Sequence, residues 1–242
     1  MLGGEPLLRV LFGEWPREWT GRSLETVRSI EAFARRCAAL AERQPEQAKK
    51  YRTFAIWAEG LLRSMDELEQ SCYAAKKYAQ QIGHFRIDDL TAEERTSYER
   101  HVYFDKNAYI RFFALLDKLG TLLNQLLALR TERIKAHYSY FTMLRNMRQN
   151  GLHSELAKPL NEIKERHQGA MSRLRSRRNI EIHQMNAELK DDLSQSLANN
   201  GARRTLENLG SNMEDLDQGW AMVQGSLHIA FRYGCAYLRR IE

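Results

Sequence analysis

At 242 residues, with 43% hydrophobic and 28% charged side chains, the chain is too apolar to be disordered and long enough to bury a substantial core. Only 14 glycines and 4 prolines punctuate it, which argues against a sandwich or barrel built on many tight turns. The formal net charge is +6, and 27 of the 37 cationic residues are arginines, whose planar fork suits phosphate; this permits nucleic-acid binding without establishing it.

The cysteines, Cys37, Cys72 and Cys235, are odd in number, scattered and never in a C-x-x-C pair. That excludes a disulfide framework and a zinc ribbon and fits a reducing compartment. The N-terminus has no basic n-region, and its one apolar run is broken by Arg9, so it does not read as a signal peptide. Uninterrupted apolar stretches such as Phe112 to Leu116 are far too short to span a membrane. The expectation is a cytoplasmic protein with no membrane association.

Apolar spacing is helical nearly everywhere. Leu24, Val27, Ile30, Ala34, Cys37 and Ala41 recur every three or four residues behind Ser23, a residue type that caps helices. Pro45 sits where a first turn tolerates it, and with the stripe from Tyr51 to Ile82 behind it predicts one helix from Pro45 of roughly 57 Å, ending at Gly83. Thr91-Ala-Glu-Glu94 reads as a capping box. The helix behind it runs towards Arg130, and Tyr109, Ile110, Phe112, Phe113, Leu115, Leu116, Leu119, Leu122, Leu123, Leu126 and Leu127 cover almost its whole circumference, which predicts a central, buried helix. Further helices are expected over residues 134–149, closed near Asn150-Gly151, and from Ser154 to about Leu174, with Pro159 early in it. Residues 190–210 read as a loop or frayed helix. Ser211-Asn-Met-Glu214 reads as a second capping box, opening a last helix with Leu216, Trp220, Val223, Leu227 and Phe231 on one face. The pattern predicts an all-α, up-and-down helical bundle with long helices, a single domain over residues 1–242.

Familiar catalytic signatures are absent: there is no Walker-type loop, G-x-G-x-x-G, H-E-x-x-H or G-x-S-x-G. The seven histidines do not pair at i,i+4 with one another or with cysteine, so no metal site and no cofactor is expected. One cluster stands out, Arg173-Leu-Arg175-Ser-Arg177-Arg178-Asn179-Ile-Glu-Ile-His183. A second Arg-to-His spacing, Arg148-Gln-Asn-Gly-Leu-His153, contains Gly151, lacks Asn after the Arg and reads as a helix end and loop.

Within the cluster, Arg178-Asn179-x-x-x-His183 resembles the R-N-x-x-x-H signature of the HEPN superfamily. Phe104-Asp105-Lys106 … Phe112-Phe113 … Asp117-Lys118-Leu-Gly120-x-x-Leu-Asn124 is similar to the characteristic helix of one bacterial HEPN branch. The resemblance covers roughly residues 90–240; it implies a HEPN-like core over 91–242 and leaves 1–90 as an N-terminal helical extension. It further implies a metal-independent endoribonuclease, a toxin or antiphage effector, acting on RNA as a homodimer and held in check by an antitoxin protein.

Chemistry supplies reasons for the residue types. Attack of a 2′-OH on the neighbouring phosphate needs a base, an acid and positive charge at the phosphorane. Histidine is the residue type that can serve as base or acid near neutral pH, the role His183 would take; Arg178 offers a fork to the phosphate, and Asn179, one turn before His183, is placed to orient the imidazole or to cap a helix. Five residues are about 140° on an ideal helix, so Arg178 and His183 converge only at a helix start or bend, and the resemblance implies that two-fold dimerisation brings a second Arg178/His183 pair into the same cleft. Arg173, Arg175 and Arg177 are candidate RNA-backbone contacts, or else are solvated or paired with Glu162, Glu165 or Glu181. Asp117 and Asn124, seven apart on one helix face, read as a satisfied core pair or as support for the motif side chains. A non-catalytic helical scaffold or partner-binding HEPN module fits the same pattern.

Overall fold

Apolar residues every three or four positions dictate helix, and the computed structural model of the chain, which describes residues 18–84, 86–183 and 208–240, is all-α with no β-strand among the described residues. The helices are α1 (Gly21–Arg43), α2 (Ala48–Ala79), α3 (Ala92–Leu126), α4 (Tyr140–Gln149), α5 (Ser154–Arg166), α6 (Gln168–His183) and α7 (Leu209–Arg240). Their residues divide into two compact units, one of Met1–Glu67, Phe112–His167 and Trp220–Glu242, the other of Leu68–Arg111 and Gln168–Gly219.

In the first unit the apolar girdle of α3 is buried as its sequence demands: Phe112, Phe113, Leu115, Leu116, Leu119, Leu122, Leu123 and Leu126 are all inside. Phe33 of α1 meets Phe231 of α7 edge to face at 5.2 Å. Helix α4 approaches α3 so closely at Gly120 that a Cβ there would stand 3.0 Å from the Tyr140 Cα.

The second unit uses α3 differently. Tyr78 of α2 stacks on Phe104 at 5.9 Å, and a polar stripe runs beside them at four-residue intervals. Ser97 donates to Gln81 Oε1 (2.8 Å), His101 is hydrogen-bonded through Nδ1 to the Ala75 carbonyl (2.9 Å), and Asp105 is buried.

Element ends follow the side chains that satisfy orphan backbone groups. The first capping box forms as read: Thr91 Oγ1 accepts from the Glu94 N–H (3.2 Å) and Glu94 Oε2 from the Thr91 N–H (2.9 Å). Glu94 Oε1 also accepts from the Gly83 N–H at 2.8 Å, so Gly83 docks on this box; it is not the C′ residue of α2, which ends at Ala79. Helix α1 starts at Gly21 behind Thr20, and Ser23, expected as its cap, instead accepts from Gln224 Nε2 at 2.5 Å. Helix α7 starts at Leu209, where Asn208 Oδ1 accepts from the Ser211 N–H, so the second box is displaced by an earlier cap.

The helix expected over 134–149 begins only at Tyr140, behind Ser139, whose side chain accepts from the Thr142 N–H. The helix expected from Ser154 to Leu174 is cut at His167 into α5 and α6, with Pro159 inside α5. Of the expected loop, residues 190–207 lie outside the described residues.

Two measurements check this account. Gly120→Ala sets a methyl against backbone and is expected to cost about 1–3 kcal/mol in chemical denaturation. Gly225→Ala is expected to be near neutral, because the atom 2.7 Å from its Cβ is the Cδ1 end of Ile163, which can turn aside. The Glu94 carboxyl is held down at about 2 from an ordinary 4.5, chiefly by the Thr91 and Gly83 N–H groups. A depressed carboxylate contributes stability that is present above its unfolded value and lost as pH falls through the folded one. Urea melts at stepped pH are therefore expected to show Glu94→Gln flattening the acid limb between pH 4.5 and about 2.

Candidate functional site

Helix α6 carries the whole arginine cluster and the motif, yet its own sequence hardly anchors it. Ala170, Met171 and Leu174 are buried, and from Arg175 to Ile182 no side chain is; Ile180 and Ile182 are exposed. Charge does the work that apolar burial does elsewhere. Arg173 Nη2 donates to Asp215 Oδ1 of α7 at 2.6 Å and its Nε to both carboxylate oxygens at 3.0–3.1 Å. Those bonds raise the Arg173 pKa above its ordinary value. One turn on, Arg177 pairs through Nη2 with Asp105 of α3 and lies over the Tyr109 ring, 5.0 Å from its centre. Glu181, one turn further, pairs with Lys106 at 3.3 Å. The spacing 173, 177, 181 is the i,i+4 series that puts three charges on one helix face.

These partners were not the ones read from sequence. Arg173 and Arg177 are paired, but with Asp215 and Asp105 in place of Glu162, Glu165 or Glu181. Both aspartates are nearly inaccessible (2% and 3%), and burying a carboxylate beside an arginine is affordable only with such a partner. No local sequence signal set Asp105 apart, since it sits among Glu99, Arg100, His101, Lys106 and Arg111 on the polar half of α3.

The motif follows directly. Arg178 is half-buried, and its Nη2 donates to Asn179 Oδ1 at 2.9 Å, so the Asn179 carbonyl oxygen is engaged by the guanidinium. Asn179 and Arg175 are exposed. His183 is the last residue of α6, and its side chain lies outside the described residues. Arg178 sits inside α6, not at its start.

Asp117 and Asn124, expected as a core pair or as support for the motif, belong to the first unit and organise the connection before α4. Asp117 Oδ1 accepts from the Tyr140 N–H (2.8 Å). Asn124 accepts from the Thr131 N–H (2.9 Å) and donates to Glu132 (2.8 Å). Asn146 donates to the Leu129 carbonyl (3.1 Å) and to Thr131 Oγ1 (3.0 Å). Two residues here, Ala128 and Arg130, hold positive φ of 51° and 54°, a left-handed backbone that costs a non-glycine residue about 1 kcal/mol or more. The second Arg-to-His spacing ends, as expected, in a turn: Gly151 has φ 62°, and His153, bonded to the Tyr233 hydroxyl at 2.8 Å, precedes α5.

Among the described residues no group of three or more His, Cys, Asp or Glu side chains is placed to hold a metal ion. No helix among them is long and apolar enough to cross a membrane.

An all-helical chain with R-N-x-x-x-H on a charge-anchored helix has the features of the HEPN superfamily. The family model described as Cthe2314-like HEPN matches residues 57–235, about three quarters of the chain, and the protein belongs to that HEPN family. The match takes in residues 57–90, which the sequence reading set apart as an extension. No curated protein and no solved structure matches the chain.

Loss of Asp105 is expected to be felt more than loss of Asp215. Asp105→Ala takes the buried carboxylate from Arg177, whose side chain is only 21% exposed, and is expected to cost about 3 kcal/mol in urea unfolding. Asp215→Ala leaves Arg173, 59% exposed, able to turn to water and is expected to cost clearly less.

Proposed function

We propose that this HEPN protein is a metal-independent endoribonuclease that works as a two-fold dimer. The observation that carries the reading is the motif's place on α6: Arg178 with its fork already oriented by Asn179, on a helix pinned by two buried carboxylates. In this reading Arg178 holds the scissile phosphate and neutralises the phosphorane. His183 takes the 2′-OH proton or returns one to the 5′-oxygen. One imidazole performs one of these transfers, so a second copy brings the complementary pair to the same phosphate. Arg173 and Arg177 act as positioning residues, and Arg175, exposed between them, is the ladder member facing the strand. A toxin or antiphage effector governed by an antitoxin protein is the setting that such an activity suits.

The test is incubation of the purified chain with tRNA and mRNA in EDTA. The expected products end in 2′,3′-cyclic phosphate, and His183→Ala is expected to lower the rate at least about 100-fold. Light scattering is expected to report a dimer. Cleavage that vanishes with chelator overturns the mechanism, and cleavage that survives in His183→Ala overturns the site. If neither protein cleaves, the chain is a non-catalytic HEPN module.

A further inference from the structure

Most of the cationic groups on α6 are spoken for, which directs attention to where the excess positive charge is displayed. In the first unit the segment between α3 and α4 offers Arg130, Arg133, Ile134, Lys135 and His137, all exposed, Ile134 at 62%. Among the described residues, the side chains of Arg130, Arg133, Lys135 and His137 form no ion pair or hydrogen bond with another residue. The one carboxylate in the segment, Glu132, is turned to Asn124, and this hydrogen bond, with smaller contributions from Arg133 and Arg130, holds it below its usual range.

The segment is built, not merely left over. Thr131 is fully buried and bonded to Asn124 and Asn146, Leu129 is buried, and Tyr138 reaches Thr121 and Asn124 with its hydroxyl. The Arg133 N–H donates to the Arg130 carbonyl at 3.1 Å, closing a 3₁₀ turn that sets the two arginines one turn apart on one side. Strained backbone at Ala128 and Arg130 is retained. Polar burial and backbone strain thus hold in one shape an exposed crown of three cations and one carboxylate, Glu132, which is bonded to Asn124; Ile134 lies among the cations and His137 follows them.

We propose that residues 130–137 form a preorganised site for the backbone of single-stranded RNA. Two guanidiniums and an ammonium meet successive phosphates, while the His137 ring offers a base a stacking face and Ile134 an apolar contact. That last feature favours a polynucleotide over an acidic protein, whose carboxylates use the cations alone. The proposal extends the ribonuclease reading by naming a strand-holding surface. It is tested by binding, so that it fails or stands separately from cleavage.

The experiment titrates the full chain, in a His183→Ala background and in EDTA, against a short fluorescein-labelled oligouridylate followed by anisotropy at several salt concentrations. The triple variant Arg130→Ala/Arg133→Ala/Lys135→Ala is expected to raise the dissociation constant about tenfold or more and to reduce the slope of log affinity against log salt by about 2, at about 0.7 per phosphate contact. A charge-matched control, Arg28→Ala/Arg35→Ala/Arg43→Ala on α1, is expected to change both far less. Circular dichroism checks that the anchors at Asn124, Thr131 and Tyr138 keep the fold. The proposal is overturned if the parent does not bind the oligonucleotide, if the triple variant binds like the parent, or if the control loses as much. RNA affinity that is kept while polyglutamate binding is lost would also overturn it, assigning the crown to an acidic protein.

Discussion

Asp105 and Asp215 are carboxylates removed from water on α3 and α7, and each is answered by an arginine of α6. Isolated, either charge would be prohibitively expensive; paired, it gives a helix with almost no apolar face a fixed place and rotation. The position of Arg178 depends on this, because the residue lies one step beyond Arg177 on the same helix. Apolar contact tolerates sliding by a fraction of a turn, whereas the bidentate fork of Arg173 on Asp215 does not. The face of α6 that carries 173, 177 and 181 is therefore committed, and 175 and 178 are directed elsewhere by helical geometry alone.

Segments with a clean apolar period could be read directly from the chain. The girdle from Phe112 to Leu127 is buried as its composition requires, and Thr91 and Glu94 cap each other as their spacing says. What could not be read were partners distant in sequence. Asn208 outcompetes the Ser211 box because it lies three residues earlier and meets the same orphan N–H. The break at His167 is invisible because apolar positions 160, 163, 170, 171 and 174 keep helical register across it. Residues 134–139 look helical by composition, but Asp117, Asn124 and Asn146, distant along the chain, supply hydrogen bonds that favour a turn and postpone α4 to Tyr140.

The candidate site divides along the same line. Arg178, Asn179 and His183 were recognisable as a local string, since the motif is written in consecutive helical positions. Asp105 and Asp215 were not, because a buried aspartate is marked only by its counter-ion, and pairing across 42 or more residues leaves no local trace. Asp117 and Asn124 share a helix face as predicted, yet that face turns to the connection before α4, where each accepts from one backbone N–H, of Tyr140 and of Thr131.

The pairing of Arg177 with Asp105 while it lies over the Tyr109 ring also bears on how this sequence can drift. An ammonium is a point charge: it can meet the carboxylate or lie over the ring, but it lacks the flat surface to do both. Arginine-to-lysine exchange, the commonest substitution between basic residues, is thus open to exposed positions such as Arg28 or Arg232 and closed at Arg177. Among divergent descendants of this chain, the arginines that outlast such exchange would mark the anchoring points of α6, separating structural necessity from a genome's general taste for arginine.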